Sequence, residues 1–417
     1  MRRMSVLFAF TLLLAPNVFT PAENWPEFRG PTGQGTYAGK NLPIEWSATK
    51  NIAWKTPIAG LGWSSPIVLD GKIYLTTAVK AVDSKDVSLQ LVCLDAAKGT
   101  QLWGTEVFKQ EAAKSPGIHG KNSHASPTPI TDGKRIYVHF GHQGTACFEL
   151  DGKIIWQNRD LLYAPVHGNG GTPILVDDHL IYSVDGSDKQ FVVALNSADG
   201  KVIWKTDRNI KGGPKFSFST PLAITVKGKR QVVSPASNAV VAYDPADGKE
   251  IWRVTYTGYS VIPRPVFGHG MIFMSTGYNN PSLLAIRVDG LGDVTKTHIA
   301  WTVKKGAPHT PSPLLVGDEL YVVSDNEGFA SCLDARTGKQ HWYERAEGVK
   351  FSASPFYGDG KVYFQSEDGV TTVLKAGTNH EVLATNRLEG RTFASYAAAD
   401  SAIYLRTEKN LYRIQAR

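Results

Sequence analysis

Cysteine is scarce in this sequence, with three in 417 residues. No two cysteines are adjacent and no Cys-x-x-Cys-His motif occurs, which excludes covalent attachment of a c-type haem. Cys93, Cys147 and Cys332 each stand two residues before an acidic residue, in places where comparable segments hold alanine. We interpret them as small packing residues in separate strands, too far apart to form a disulfide.

Long apolar runs are missing beyond the N-terminus, since no later stretch approaches the roughly 18 apolar residues of a membrane-spanning helix. Residues 1–22 combine Arg2 and Arg3, a short apolar run over residues 5–15, and Ala22 at the predicted cleavage point. This pattern is typical of a signal peptide. No cysteine follows the run to carry a lipid. We expect a periplasmic or secreted protein with no lipid anchor and no transmembrane segment.

Concentrated positive charge and common catalytic motifs are missing as well. The formal net charge is +7, but many lysines are scattered among Asp-Gly-Lys turns, so no basic stripe for nucleic acid is formed. There is no Gly-x-Ser-x-Gly motif, the mark of a hydrolase nucleophile elbow. The glycine-rich residues 168–171 precede a predicted strand and therefore do not form a dinucleotide-binding loop.

What the sequence does contain is a repeat with one tryptophan per unit. In five units a glycine lies four residues before the tryptophan, within a turn rich in aspartate, and such turns supply the positive φ angles of a tight hairpin. The period is that of a propeller blade. The repeated tryptophans, which we expect to be structural, are Trp54, Trp103, Trp156, Trp204, Trp252, Trp301 and Trp342.

Each unit starts with a short segment of small residues and proline, suited to an inner strand, and a second strand follows after a turn. There are eight such starts, the last of them SYAAAD at residues 395–400. The final unit supplies three strands only, and residues 51–56 at the other end of the chain supply its fourth. The sequence therefore predicts an all-β, eight-bladed β-propeller of four-stranded antiparallel blades, closed by an N-terminal strand. A β-sandwich would explain the strands but not the repeated tryptophan.

The Asp-x-x-x-Gly-Lys-x-x-Trp ending, clearest in LDARTGKQHW at residues 333–342, resembles the pyrroloquinoline-quinone (PQQ)-like propeller repeat. The likeness covers residues 51–414. Together with the N-terminal pattern, the sequence divides into a predicted signal peptide at 1–22, an extended segment at 23–50 and the propeller at 51–417. The resemblance implies that each tryptophan packs between neighbouring blades. The family includes quinoprotein alcohol dehydrogenases and non-catalytic BamB-like scaffolds of the bacterial envelope, so the likeness indicates fold more than function.

The resemblance implies two functions, and the cysteines help to choose between them. Quinoprotein enzymes typically hold PQQ near a disulfide between adjacent cysteines, beside a calcium or lanthanide ion, and this sequence has no such pair. PQQ is therefore disfavoured as a cofactor. We expect a binding or scaffold protein of the envelope that holds a partner protein or a small polar ligand. The alternative is a PQQ-dependent dehydrogenase acting on an alcohol or sugar.

The candidate site lies where loops entering the inner strands and loops joining second to third strands open on one face, around an axial funnel. Trp63, His309 and Phe393 belong to such loops. The densest group of polar residues falls on blades 2 and 3 and suits an anionic or sugar-like ligand. Its spacings form no recognised metal motif, and hydrogen-bonded loop histidines without a ligand are the alternative. The group comprises His119, Asn122, His124, His142, His167 and Asn169.

Arg264 is the remaining candidate ligand-binding residue. It stands at the fifth inner strand, where the other units have a small residue. We expect it to point a fixed charge toward the funnel, where a carboxylate or phosphate could bind. An ion pair with Asp325 or Glu367 is the alternative.

Overall fold

The computed structural model describes residues 23–416. The predicted signal peptide, residues 1–22, lies outside the described residues. Within residues 23–416 the chain forms eight antiparallel blades of four strands, and in blades 1 to 7 the strands follow sequence order from the inside outward. The prediction of an eight-bladed β-propeller is confirmed. No helix in this part of the chain is long and apolar enough to cross a bilayer.

The strands of each blade follow, from inner to outer. Blade 1 comprises Ile67–Leu69, Lys72–Lys80, Val87–Asp95 and Gln101–Gln110. Blade 2 comprises Ile130–Thr131, Arg135–His139, Thr145–Glu149 and Ile154–Asn158. Blade 3 comprises Ile174–Val176, His179–Asp185, Gln190–Asn196 and Val202–Asp207. Blade 4 comprises Leu222–Val226, Lys229–Ala236, Ala239–Tyr243 and Glu250–Thr255.

The second half of the ring repeats this order. Blade 5 comprises Val266–Gly268, Met271–Ser275, Leu283–Arg287 and Ile299–Val303. Blade 6 comprises Leu314–Val316, Glu319–Val323, Phe329–Asp334 and Gln340–Arg345. Blade 7 comprises Phe356–Gly358, Lys361–Gln365, Val370–Lys375 and Val382–Arg387. Blade 8 comprises Ala397–Ala399, Ala402–Arg406, Asn410–Gln415 and the N-terminal strand Ile52–Pro57.

A few short elements lie outside this scheme. Thr36–Tyr37 pairs in parallel with the inner strand of blade 7, and Gly292–Asp293 pairs in parallel with the outer strand of blade 4. A single helical turn, Thr295–His298, follows the latter. Two 3₁₀ turns, Ala112–Lys114 and Gly141–Gln143, lie in loops on the funnel face.

The ring closes as the sequence predicts. Ile52–Pro57 pairs antiparallel with Asn410–Gln415, from Ile52 opposite Ile414 to Pro57 opposite Asn410. The first and last strands thus share one sheet, and no sheet edge is left open at the point where the ring begins.

Most repeated tryptophans anchor one blade to the next. The ring of Trp54 lies over Gly99 in the turn of blade 1, where a Cβ would come within 2.5 Å of the indole, so only glycine fits at this positive-φ position. The Trp54 indole N–H donates to the Ala96 carbonyl at 3.0 Å. Trp156 over Gly200 repeats both contacts. Trp252 differs, because its indole donates to Gln231 of its own blade.

The three cysteines are free and buried, each in the third strand of its blade. Cys93 lies opposite Trp103 across the ladder, and Cys147 and Cys332 lie opposite tryptophans in the same way. Burial raises the pKa of the Cys93 thiol to about 11, which keeps it protonated and unreactive. They are packing residues.

Residues 24–37, which we call the plug, fill the lower half of the axial channel. Trp25 exchanges two backbone hydrogen bonds with Val68 of blade 1, at 2.8 and 2.9 Å. Two blades away around the ring, the Gly35 carbonyl accepts the Tyr357 N–H of blade 7 at 2.9 Å. Residues 24–37, which are part of the segment 23–50 predicted only as extended, therefore close the channel from below.

Candidate functional site

The upper half of the channel is an open funnel with a cavity of about 860 Å³. Phe28, at the tip of the plug, lines its lower end. The cavity is thus a cup that opens on the face predicted from the loops, with a size typical of small-molecule sites.

The base of the cup is a ring of hydroxyl groups, one from the residue two positions before each inner strand except that of blade 5. In each case a backbone N–H of one blade donates to the hydroxyl oxygen of the next blade, at 3.0 to 3.1 Å. We call these residues the hydroxyl ring. They are Ser65, Thr128, Thr172, Thr220, Ser312, Ser354 and Ser395.

Arg264 occupies the eighth position of this ring and does not offer a free charge to the funnel. Its side chain is only 2% exposed. The guanidinium donates to the carbonyls of Phe28 at 2.6 Å and Pro221 at 3.0 Å, and it lies 3.4 Å from the Glu27 carboxylate. Neither expected role holds, since its carboxylate partner comes from the plug and not from Asp325 or Glu367.

A second arginine, within the plug itself, ties the plug to blade 6. Arg29 is 1% exposed and donates to the carbonyls of Pro313 at 2.6 Å and Gln34 at 2.9 Å. Burial, with a smaller contribution from the like charge of Arg264, lowers the pKa of Arg29 to about 9, so the group stays cationic at neutral pH. Burial also raises the pKa of the Glu27 carboxyl above its ordinary value, although Arg264 opposes this.

Six aromatic side chains, which we call the aromatic arc, follow one another around the funnel wall from blade 2 to blade 6. Each ring contacts the next, with centroids 5.3 to 5.9 Å apart and mostly edge to face. Phe218 extends the arc inward from its third member. The six residues are His119, His167, Phe216, Tyr259, Tyr278 and His309.

The opposite wall holds a second aromatic pair and a bridging ion pair. Trp63 and Phe393 meet edge to face at 4.5 Å. Lys121, from the long loop between blades 1 and 2, reaches Glu367 of blade 7 at 2.8 Å, and the Ser352 hydroxyl donates to the same oxygen at 2.6 Å. The loop therefore spans part of the funnel mouth.

The structure divides the predicted polar group into two sets. His119, Asn122 and His167 line the funnel, and the two histidine rings lie 5.5 Å apart. Asn122 is held by the backbone, since its amide donates to the His167 carbonyl at 2.8 Å. The other members, His124, His142 and Asn169, lie outside the lining.

Those three residues are tied into the wall. His124 bonds Gln110 at 3.2 Å, and Asn169, 5% exposed, accepts from the Tyr163 hydroxyl at 2.9 Å. Burial lowers the pKa of His124 and of His142, which favours their neutral forms. Nowhere in residues 23–416 do three His, Cys, Asp or Glu side chains form a group that could hold a metal ion.

Sequence reasoning placed Trp63, His309 and Phe393 at the funnel face, and all three line the cavity. It missed Phe28, Phe216, Tyr259 and Tyr278. The last three sit in irregular loops that enter or leave inner strands, so the same mapping of loops to one face could have included them. Phe28 carried no such signal, because it precedes the first blade.

The family model of the outer membrane protein assembly factor BamB matches residues 35–159, 90–330 and 290–412, which together span most of the chain. The chain belongs to this PQQ-like repeat family of β-propellers. No curated protein sequence matches the chain significantly.

Solved structures share the fold at low sequence identity. BamB from Moraxella catarrhalis superimposes with a TM-score of 0.58 at 11% identity, covering 87% of this chain and 99% of that one. A europium-containing methanol dehydrogenase gives a TM-score of 0.56 at 12% identity, with 93% and 89% covered. The quinohemoprotein alcohol dehydrogenase ADHIIG from Pseudomonas putida HK5 gives 0.59 at 11%, with 95% and 81% covered. These likenesses establish the propeller and leave its role open.

The funnel does not fit PQQ, the cofactor that the family implies. PQQ is a tricarboxylate and needs several free cationic donors. Among the lining residues, all within the described part of the chain, Lys121 is the single lysine or arginine, and Glu367 already pairs with it. Asp325 adds a carboxylate to the same lining. The cysteines lie buried in three separate blades and offer no adjacent pair.

Proposed function

We propose that the protein is a non-catalytic binding propeller of the cell envelope, exported by its predicted signal peptide. It holds a small polar ligand, or a segment of an envelope partner, in the funnel. The observation that carries this proposal is the cup itself: a cavity closed below by the plug and walled by the aromatic arc. Concave aromatic walls with a few polar groups are the usual form of a ligand site.

The family supports this proposal at a coarser level. Its model is named for an assembly factor of the outer membrane, and a BamB structure shares the fold. Enzymes share the fold too, so a PQQ-dependent dehydrogenase acting on an alcohol or sugar is the alternative that the experiment must separate.

The test uses residues 23–417 and a library of sugars, amino acids, carboxylates, envelope-derived peptides and PQQ with calcium. We expect at least one compound to raise the melting temperature, and Phe216→Ala to abolish that shift. Tyr343→Ala, on the outer strand of blade 6, is the matched aromatic control. If the rise in melting temperature persists in Phe216→Ala, or if no compound raises the melting temperature of the parent, the funnel is not a ligand site. Dye reduction with PQQ, calcium and an alcohol or sugar would instead establish the enzyme.

A further inference from the structure

The walls of the funnel also specify the chemistry of its ligand, an inference that rests on the proposed function. Aromatic faces carry negative potential. They attract C–H groups whose carbons bear oxygen, because such hydrogens are partly positive. The faces of a sugar ring present C–H groups of this kind, while its edge presents hydroxyls. An arc of six contacting rings therefore suits a flat, polyhydroxylated ligand.

The charged side chains at the funnel already contact other groups of the protein. Lys121 and Glu367 neutralise each other across the mouth. Asp325 is 2% exposed, accepts the His309 backbone N–H at 2.6 Å and lies 3.5 Å from the His309 ring. A charged ligand would have to compete with these contacts, so an uncharged one is favoured.

Unused hydrogen-bonding groups surround the cavity. Each member of the hydroxyl ring accepts one backbone N–H, and among the described residues its hydroxyl donates to no other group. Within residues 23–416, the side chains of His167, Tyr259, Tyr278 and Asn326 make no hydrogen bond, although all four line the cavity. A ligand rich in hydroxyls would satisfy donors and acceptors alike.

We infer that the funnel binds an uncharged carbohydrate. At least one sugar ring stacks on the aromatic arc, and hydroxyls of the carbohydrate bond the hydroxyl ring and the free groups of the wall. The cavity of about 860 Å³ accommodates a short oligosaccharide.

Isothermal titration of residues 23–417 with neutral oligosaccharides tests this inference, using maltotriose, cellotriose and chitotriose within a wider neutral glycan array. Citrate, and PQQ with calcium, are the anionic comparators. Tyr278 is 57% exposed, so Tyr278→Ala should leave the fold intact. We expect it to weaken glycan binding by about tenfold, since one aromatic contact contributes about 1.4 kcal/mol. Tyr343→Ala should bind as the parent does.

The outcomes separate this inference from the proposed function. Glycan binding that Tyr278→Ala weakens and Tyr343→Ala does not supports both. If only citrate, PQQ or a library compound binds, and Phe216→Ala abolishes that binding, the carbohydrate inference is wrong and the funnel remains a ligand site. Glycan binding that neither Tyr278→Ala nor Phe216→Ala alters also overturns the inference, because the sugar then binds elsewhere. If nothing binds the funnel, both fail.

Discussion

The two halves of the axial channel have the same eightfold frame and opposite contents. The lower half is filled by the chain itself, with Arg29 and Arg264 tying residues 24–37 to strands more than 200 positions away in sequence. The upper half is left open and lined with aromatic rings and unused polar groups. One ring of hydroxyls separates them. The contrast shows that the plug turns a through-channel into a cup, which suits retention of a ligand better than passage.

Among the changes that test this comparison, Arg264→Ala has the largest expected effect. The change leaves the Glu27 carboxylate without its cation and the Phe28 and Pro221 carbonyls without a donor. We expect the free energy of unfolding, measured by chemical denaturation, to fall by about 3 kcal/mol. Tyr278→Ala in the open half should stay within about 0.5 kcal/mol of the parent. Equal losses would show that the plug is not held as the structure indicates.

A pH titration tests whether the wall of blade 2 is as deeply buried as the structure indicates. His139, 4% exposed in the wall of blade 2, bonds the Thr145 hydroxyl at 2.8 Å, and burial, with a smaller effect of His142, lowers its pKa to about 3. Below about pH 6.5 His139 binds a proton in the unfolded chain but stays neutral in the native state. The free energy of unfolding therefore falls as pH drops from about 6.5 toward 3.

His139→Gln removes this penalty. Between pH 7 and pH 5 the parent should lose about 2 kcal/mol more stability than the variant, measured by denaturant unfolding at both pH values. His341→Gln, at an exposed outer-strand position, should follow the parent. If His139→Gln and the parent have the same pH dependence, the imidazole is not held neutral by burial.

The fold was predictable from sequence because its signals are local. A turn glycine and a tryptophan mark five of the hairpins, and the missing fourth strand of the last unit predicts the closure by residues 51–56. The plug was not predictable, because its position depends on contacts such as that of Glu27 with Arg264, which no local pattern encodes. The ligand-binding role of the histidine group stays a prediction. Loops place His119 and His142 on one face, but the direction of each side chain decides which of them lines the funnel, and His119 does.

The smallest expected effect concerns the boundary between the two halves. Thr172→Val keeps the shape of a hydroxyl-ring member but leaves the buried Thr128 N–H without its acceptor at 3.0 Å. We expect a loss of about 1 kcal/mol in the free energy of unfolding, whereas Thr225→Val, at an exposed strand position, should be neutral. Arg264 already interrupts the hydroxyl ring at blade 5. The propeller therefore tolerates one missing hydroxyl when contacts with the plug replace its hydrogen bond. A larger loss in Thr172→Val than in Arg264→Ala would mean that the ring, and not the plug, holds the channel together.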